Sequence, residues 1–295
     1  TVIEKCWSNQ KEERPNFFAI FNEILYRSNF SEEESNTVFI YIHDTNFTSY
    51  ENNENGSAVH IINCGLKVID SNYIQCNSLN GYGGAIYIYN SRSLTYNITI
   101  ENSFFNLCKA IGGGACFIYS SSKYNDVLIL HSSFVDNTAI RKDSQNTNNQ
   151  LNGGNAVFIS ARNGNFSHCL FKGNKGQKGS YGSLKFYNVF NEDPEGLTNL
   201  KLLNEMHDTI HVSSCNFENE EKSACSIYYS GGREESKVEI THCSFKGKHG
   251  KNSHYIDGNV LSKDISKLQI VSCEFENKRN SAVNSNLINE FNFGD

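Results

Sequence analysis

V-E-I-T-H-C-S-F-K-G, Val238 to Gly247, decides the fold, because it recurs. Copies read I-H-V-S-S-C-N-F at Ile210 to Phe217 and L-Q-I-V-S-C-E-F at Leu268 to Phe275. Looser ones are I-T-I-E-N-S-F-F at Ile98 to Phe105 and V-L-I-L-H-S-S-F at Val127 to Phe134. G-N-F-S-H-C-L-F at Gly164 to Phe171, L-K-V-I-D-S-N-Y at Leu66 to Tyr73 and I-Y-I-H-D-T-N-F at Ile40 to Phe47 complete the set. Their closing aromatics are spaced by 26, 32, 29, 37, 46, 28 and 30 residues. A period in this range marks a repeat architecture.

Within the motif, alternation puts Val238 and Ile240 on one face of a strand. Cys243 and Phe245 share a face with each other, but at opposite parity. The chain must therefore bend three residues before the aromatic. The bend column is Asp44, Asp70, Asn102, His131, His168, Ser214, His242 and Ser272. Asn, Asp and His are the non-glycine residues that best tolerate left-handed backbone. The next column is Thr45, Ser71, Ser103, Ser132, Cys169, Cys215, Cys243 and Cys273. Thr, Ser and Cys exchanging at one site imply a small buried pocket, which a reduced Cys fills as a small hydrophobe. Ten cysteines are thus read as stacked thiols ahead of disulfides. No C-x-x-C pair suggests zinc, and no metal is expected.

A second strand signal follows most bends. It reads G-G-A-I-Y-I at Gly83 to Ile88, G-G-A-C-F-I at Gly113 to Ile118 and G-G-N-A-V-F-I at Gly153 to Ile159. Weaker copies begin at Gly56, Gly182 and Ser223. Two to three short strands per repeat describe an all-β solenoid of about eight coils, each stacked on the next at about 4.8 Å. No coil buries its face alone. With motifs G-G-A-x-x-I and I-x-[N/H/S]-[S/C]-x-F-x-x-N, residues Thr37 to about Ala282 resemble the right-handed parallel β-helix family. Similar repeats occur in pectate-lyase-like enzymes and polymorphic bacterial surface proteins. The handedness is what the resemblance implies. The domain assigned to this fold is 37–295, with polar insertions at 141–151 and 189–208.

Residues 1–28 stand outside the repeat. Pro15 suits the first turn of a helix, and Phe18, Phe21, Ile24 and Leu25 recur at helical spacing, so a short helical segment is expected. Cys6-Trp7, then Arg14-Pro15, then Phe18 resemble the end of a tyrosine-kinase-like protein kinase domain. The resemblance implies that Trp7, Arg14 and Pro15 are structural. The Gly-rich loop, the nucleotide lysine, H-R-D and D-F-G of a kinase are missing from this sequence, so it cannot transfer a phosphoryl group that way. An acidic linker, 29–36, joins the two parts.

A net charge of −6 argues against a nucleic-acid binder. No run approaches the roughly 18 apolar residues of a membrane span, and none reads as a signal peptide. Sequons begin at Asn46, Asn55, Asn97 and Asn165; in a cytosolic protein they go unmodified. Carbohydrate-cleaving solenoids need clustered carboxylates on one outward face, yet no Asp-Asp pair occurs and the acidic pairs lie in turns and insertions. No catalytic residue and no cofactor is assigned. The sharpest candidate site is the bend column at Asp70, Asn102, His131 and His168, where the two rings would lie about 5 Å apart. Lys172, Lys175 and Lys178 form a second candidate, a shallow patch for an anion or glycan. The expected function is a non-catalytic binding or scaffold module, cytoplasmic, downstream of a kinase domain, with a protein or glycan ligand. The alternatives are part of an active full-length kinase, or a cell-surface adhesin or carbohydrate-active β-helix.

Overall fold

A strand with one apolar face must cover it, and a coil of short strands covers it with the next coil. The computed structural model describes residues 39–90, 96–120, 126–140, 153–176, 182–187, 209–219, 225–231, 236–247, 254–260, 267–276 and 282–283. The stretch 1–28 with its expected helices, the linker 29–36 and the insertions 141–151 and 189–208 lie outside these residues. Among the described residues there is no helix. Every strand pairing is parallel, and the strands form four sheets of eight, eight, five and seven members. The molecule is a parallel β-solenoid.

The opening motif supplies the first two sheets. Thr209–Ser213, Lys237–Thr241 and Lys267–Val271 lie side by side in the first, with Ile210, Val238 and Leu268 in register and Val212, Ile240 and Ile270 likewise. Asn216–Asn219, Ser244–Gly247 and Glu274–Phe275 do the same in the second, with Phe217, Phe245 and Phe275 aligned. The eight closing aromatics form one continuous stack. Its ring centroids are spaced 4.9, 4.7, 4.9, 5.1, 4.9, 5.0 and 4.9 Å from Phe47 to Phe275. Offset stacking of this kind adds about 0.5–1.5 kcal/mol per pair beyond burial.

The small-residue column has a stricter logic than size. Each side chain donates to the carbonyl two residues before it: Ser71 to Ile69 and Ser103 to Glu101 at 2.8 Å, Cys215 to Ser213 at 3.2 Å, Cys243 to Thr241 at 3.3 Å. Ser71, Ser103, Ser132, Cys215 and Cys273 also accept the backbone N–H of the equivalent residue one coil earlier. Thr45 donates to Ser71 Oγ at 3.2 Å, Ser103 to Ser132 Oγ at 3.1 Å, Cys169 to Cys215 Sγ at 3.4 Å and Cys243 to Cys273 Sγ at 3.5 Å. The site selects a small donor that also accepts. Cys169, Cys215 and Cys243 are reduced and buried in the main core, as expected, and the hydrogen bonds add a second requirement: a hydroxyl or thiol satisfies a backbone N–H that the bend withdraws from the sheets. None of the nine described cysteines is in a disulfide.

A second bend follows the second sheet, at Ser49, Gln75, Leu107, Asp136 and Gly173, all at positive φ. Behind it stands an amide ladder. Asn137 Oδ1 accepts the N–H of Cys108 at 3.0 Å, and Asn174 Oδ1 accepts that of Asn137 at 3.0 Å. Their amide groups donate to the Phe105 and Phe134 carbonyls. This gives the Asn of F-x-x-N its role. The short third sheet begins here, with Glu51–Asn52, Asn77–Ser78, Lys109–Ala110, Thr138–Ala139 and Lys175–Gly176.

Glycine makes the next turn because nothing else fits. Gly113 has φ 60°, and a Cβ there would sit 2.1 Å from the Cys116 carbonyl oxygen. The fourth sheet follows, including Ile86–Asn90, Cys116–Ser120, Val157–Ser160 and Leu184–Tyr187. Its inward residues Ile86, Cys116, Val157 and Leu184 join the main core. Its outward residues are buried as well. Tyr87, Tyr89, Phe117, Tyr119, Phe158 and Tyr187 form a second aromatic cluster outside the barrel of sheets.

Candidate functional site

All eight residues expected at the first bend have positive φ, from 47° to 55°. The strands on either side are in register, so Asp70, Asn102, His131 and His168 stand in consecutive coils as one exposed column. The His131 and His168 rings stack with centroids 4.8 Å apart and planes 20° apart. His168 Nδ1 lies 2.7 Å from Ser167 Oγ. Asp70 Oδ2 lies 3.5 Å from His43 Nε2, across an exposed gap. Stacked imidazoles present their faces to each other, whereas a metal site needs nitrogens converging in the ring planes. Among the described residues no group of three or more His, Cys, Asp or Glu is placed to hold a metal ion.

The lysine patch is divided. Lys172 Nζ lies 3.0 Å from Glu218 Oε2, its neighbour one coil on. Lys175 is exposed on the third sheet, opposite Thr138. Lys178 lies outside the described residues, as do Trp7, Arg14 and Pro15. The Lys172–Glu218 pair cancels part of the charge expected of an anion site.

Three arrangements were missed in the sequence. The first is a groove of about 330 Å³ on the outer side of the second bend. Ser49, Gln75 and Leu107 line one wall, and Glu51, Asn77 and Lys109 the other. The bend column supplies the first set and the third sheet the second. Each coil thus adds one residue to each wall. Two amides, a hydroxyl, an acid and a base surround an exposed leucine. The visible signal was weak, because the bend residues share no residue type and the strands are two residues long.

The second is a charged trio on the outer face of the first sheet. His211 Nδ1 lies 2.7 Å from Glu239 Oε2, and Lys237 Nζ contacts Glu239 Oε1. The hydrogen bond from Lys237 lowers the Glu239 carboxyl below the usual range, and His211 adds to the effect. His211 and Glu239 occupy the same column of adjacent motif copies. That alignment was legible in I-H-V and V-E-I, and its pairing was not read.

The third is Lys185, only 1% exposed on the outer face of the fourth sheet. Its Nζ stands 5.4, 5.3 and 5.6 Å from the ring centroids of Phe158, Tyr187 and Tyr228. Burial lowers its pKa to about 7, opposed by the nearby Cys225. Aromatic faces recover some of the attraction that water would have given the cation. His60 of the same sheet is lowered by burial too, against a raising effect of Glu54.

No protein-family model, curated protein or solved structure matches this chain. Neither the kinase-like nor the pectate-lyase-like resemblance gains support from these comparisons. No helix among the described residues is long and apolar enough to cross a membrane.

Proposed function

We propose that this chain is a non-catalytic binding module, a right-handed parallel β-helix of about eight coils that presents its second-bend groove to an extended polar polymer. The observation that carries the reading is the groove itself. Its lining changes from coil to coil while its backbone repeats, which suits a ligand running along the axis. Its size falls at the lower end for a ligand site. Amides and hydroxyls with an exposed Leu107 suit a glycan, whose rings offer hydroxyls and an apolar face. Glu51 and Lys109 would set polarity along the groove. The column of Asp70, Asn102, His131 and His168 and the lysines Lys172 and Lys175 serve in this reading as a rim. The test is titration of the purified chain against a panel of neutral and acidic oligosaccharides. Binding weakened at least tenfold by Asn77→Ala with Lys109→Ala is expected. Cleavage of any oligosaccharide, or binding unchanged by the double substitution, overturns the reading.

We infer further that the module follows a tyrosine-kinase-like domain and works in the cytosol. Support comes from Cys6-Trp7, Arg14-Pro15 and Phe18 alone. Sequencing the transcript upstream of Thr1 tests it. A nucleotide lysine, H-R-D and D-F-G in frame are expected; an open frame lacking them sinks this part and leaves the groove untouched.

A further inference from the structure

The lower half of the small-residue column is made of serine and threonine, and the upper half is made of thiols. Cys169, Cys215, Cys243 and Cys273 stand in consecutive coils, and strand register fixes their order. Each thiol donates to a backbone carbonyl, Cys215 to Ser213 and Cys243 to Thr241, and the Cys243 N–H donates to Cys273 Sγ at 3.5 Å, which holds that sulfur against the coil below. Stacked coils hold equivalent Cα atoms about 4.8 Å apart. A disulfide accepts Cα separations of about 4.4–6.8 Å. Cβ atoms in register also lie about 4.8 Å apart, somewhat beyond the roughly 3.5–4.5 Å that the bond prefers. Neighbouring thiols here can be joined with a local compression of under about 1 Å, and a bond so made is strained and easily reduced.

Access separates one end of the column from the other. Cys169, Cys215 and Cys243 are buried, and Cys273 alone among the nine described cysteines is partly exposed. We propose that Cys273 and Cys243 are a reversible oxidation site, in which hydrogen peroxide reaching Cys273 leaves the two joined as a disulfide.

The Cys273 thiolate attacks the outer oxygen of the peroxide; an S–O bond forms, the O–O bond breaks and hydroxide leaves. The Cys243 sulfur then attacks the Cys273 sulfenic sulfur; an S–S bond forms, and the sulfenic oxygen leaves as hydroxide. The two thiol protons turn both hydroxides into water. Two thiols are oxidised and one peroxide is reduced. Cys243 suits the second attack. Its backbone N–H already holds Cys273 Sγ at 3.5 Å, so its side chain is the neighbour next in line. The neighbouring Cys243 and burial hold the Cys273 thiol above its usual range, so the first attack should quicken as pH rises and thiolate forms.

The molecule contains its own control. Cys76 and Cys108 stand in adjacent coils behind the second bend, their thiols donating to the Phe47 and Tyr73 carbonyls, and both are buried. They share the stacking without the opening.

Hydrogen peroxide is the probe, and peptide mapping without reduction is the measurement, on the folded chain at neutral pH. A Cys243–Cys273 link is expected, reversed by dithiothreitol, with Cys76 and Cys108 still reduced. Cys273→Ser should slow oxidation of the column at least tenfold. Cys243→Ser should leave Cys273 as a sulfenic acid captured by dimedone. Both variants should fold, because serine fills this column at Ser71, Ser103 and Ser132 with the same hydrogen bonds; an unchanged thermal midpoint checks it. Sulfinic acid at Cys273 beside reduced Cys243 in the unsubstituted chain overturns the proposal. So does a link between two chains, Cys76–Cys108 oxidising at the same rate, or Cys273→Ser reacting as fast as the parent.

Discussion

The first and fourth sheets share a stacking rule and differ in what lies outside them. In the first, strands such as Asp126–Leu130 and Lys237–Thr241 alternate buried and wetter residues. In the fourth, Ile86–Asn90, Cys116–Ser120, Val157–Ser160 and Leu184–Tyr187 are buried at every position. Alternating strands need one covered face, and continuous apolar runs need two. The difference teaches that a solenoid coil is not uniform around its girth. One sheet presents side chains to solvent, and the sheet before it in the chain carries a second core.

The two sheets differ most at matched outward positions. Phe117→Ala empties the outer cluster of the fourth sheet and should cost about 3–5 kcal/mol. Leu128→Ala, outward on the first sheet and only partly buried, should cost under about 1 kcal/mol. Chemical denaturation measures both. Equal costs would erase the distinction between the sheets.

Lys185 sharpens it. Its folded pKa is lowered from 10.5 to about 7. Between those values the unfolded chain holds a proton that the folded chain lacks. This group's contribution to stability is therefore complete above about pH 10.5, shrinks as pH falls and is lost by about pH 7. Lys185→Met removes the buried cation at similar volume and should stabilise the fold by about 1–4 kcal/mol at neutral pH. The gap between parent and variant should close as pH rises. A gap independent of pH would show that the amine does not titrate there.

The bend between the first and second sheets gives the smallest effect. His168 has φ 55°. His168→Gly should change stability by less than about 1 kcal/mol, because relief of the left-handed strain offsets the added chain entropy. His168→Val should cost about 1–2 kcal/mol, since a β-branched residue resists positive φ. Urea midpoints distinguish them.

These regions were not equally legible. The first bend was read residue by residue, because Asn, Asp and His mark left-handed backbone and recur in one column. The aromatic stack was read from Phe47, Tyr73 and their successors at a fixed place in each repeat. The outer cluster was not read, since Tyr87, Phe117 and Phe158 are equally at home on a wet face, and what covers a sheet depends on distant chain. The second bend was hidden for another reason. Ser49, Gln75, Leu107, Asp136 and Gly173 have no common chemistry, and the two-residue strands after it are too short to show a period. The candidate site fared likewise: Asp70, Asn102, His131 and His168 were placed as a column, whereas the groove formed where no motif pointed.

The groove of Ser49, Glu51, Gln75, Asn77, Leu107 and Lys109 also works as a ruler. Its graduations are the coils, about 4.8 Å apart, while an extended peptide repeats its same-side residues about every 6.6–6.8 Å. The two scales coincide only after about seven graduations, so a peptide lying along the axis falls out of step within the three coils that line the groove. A polymer whose unit length is close to one coil would meet every graduation in turn, and its binding would grow with each unit added until the groove is full.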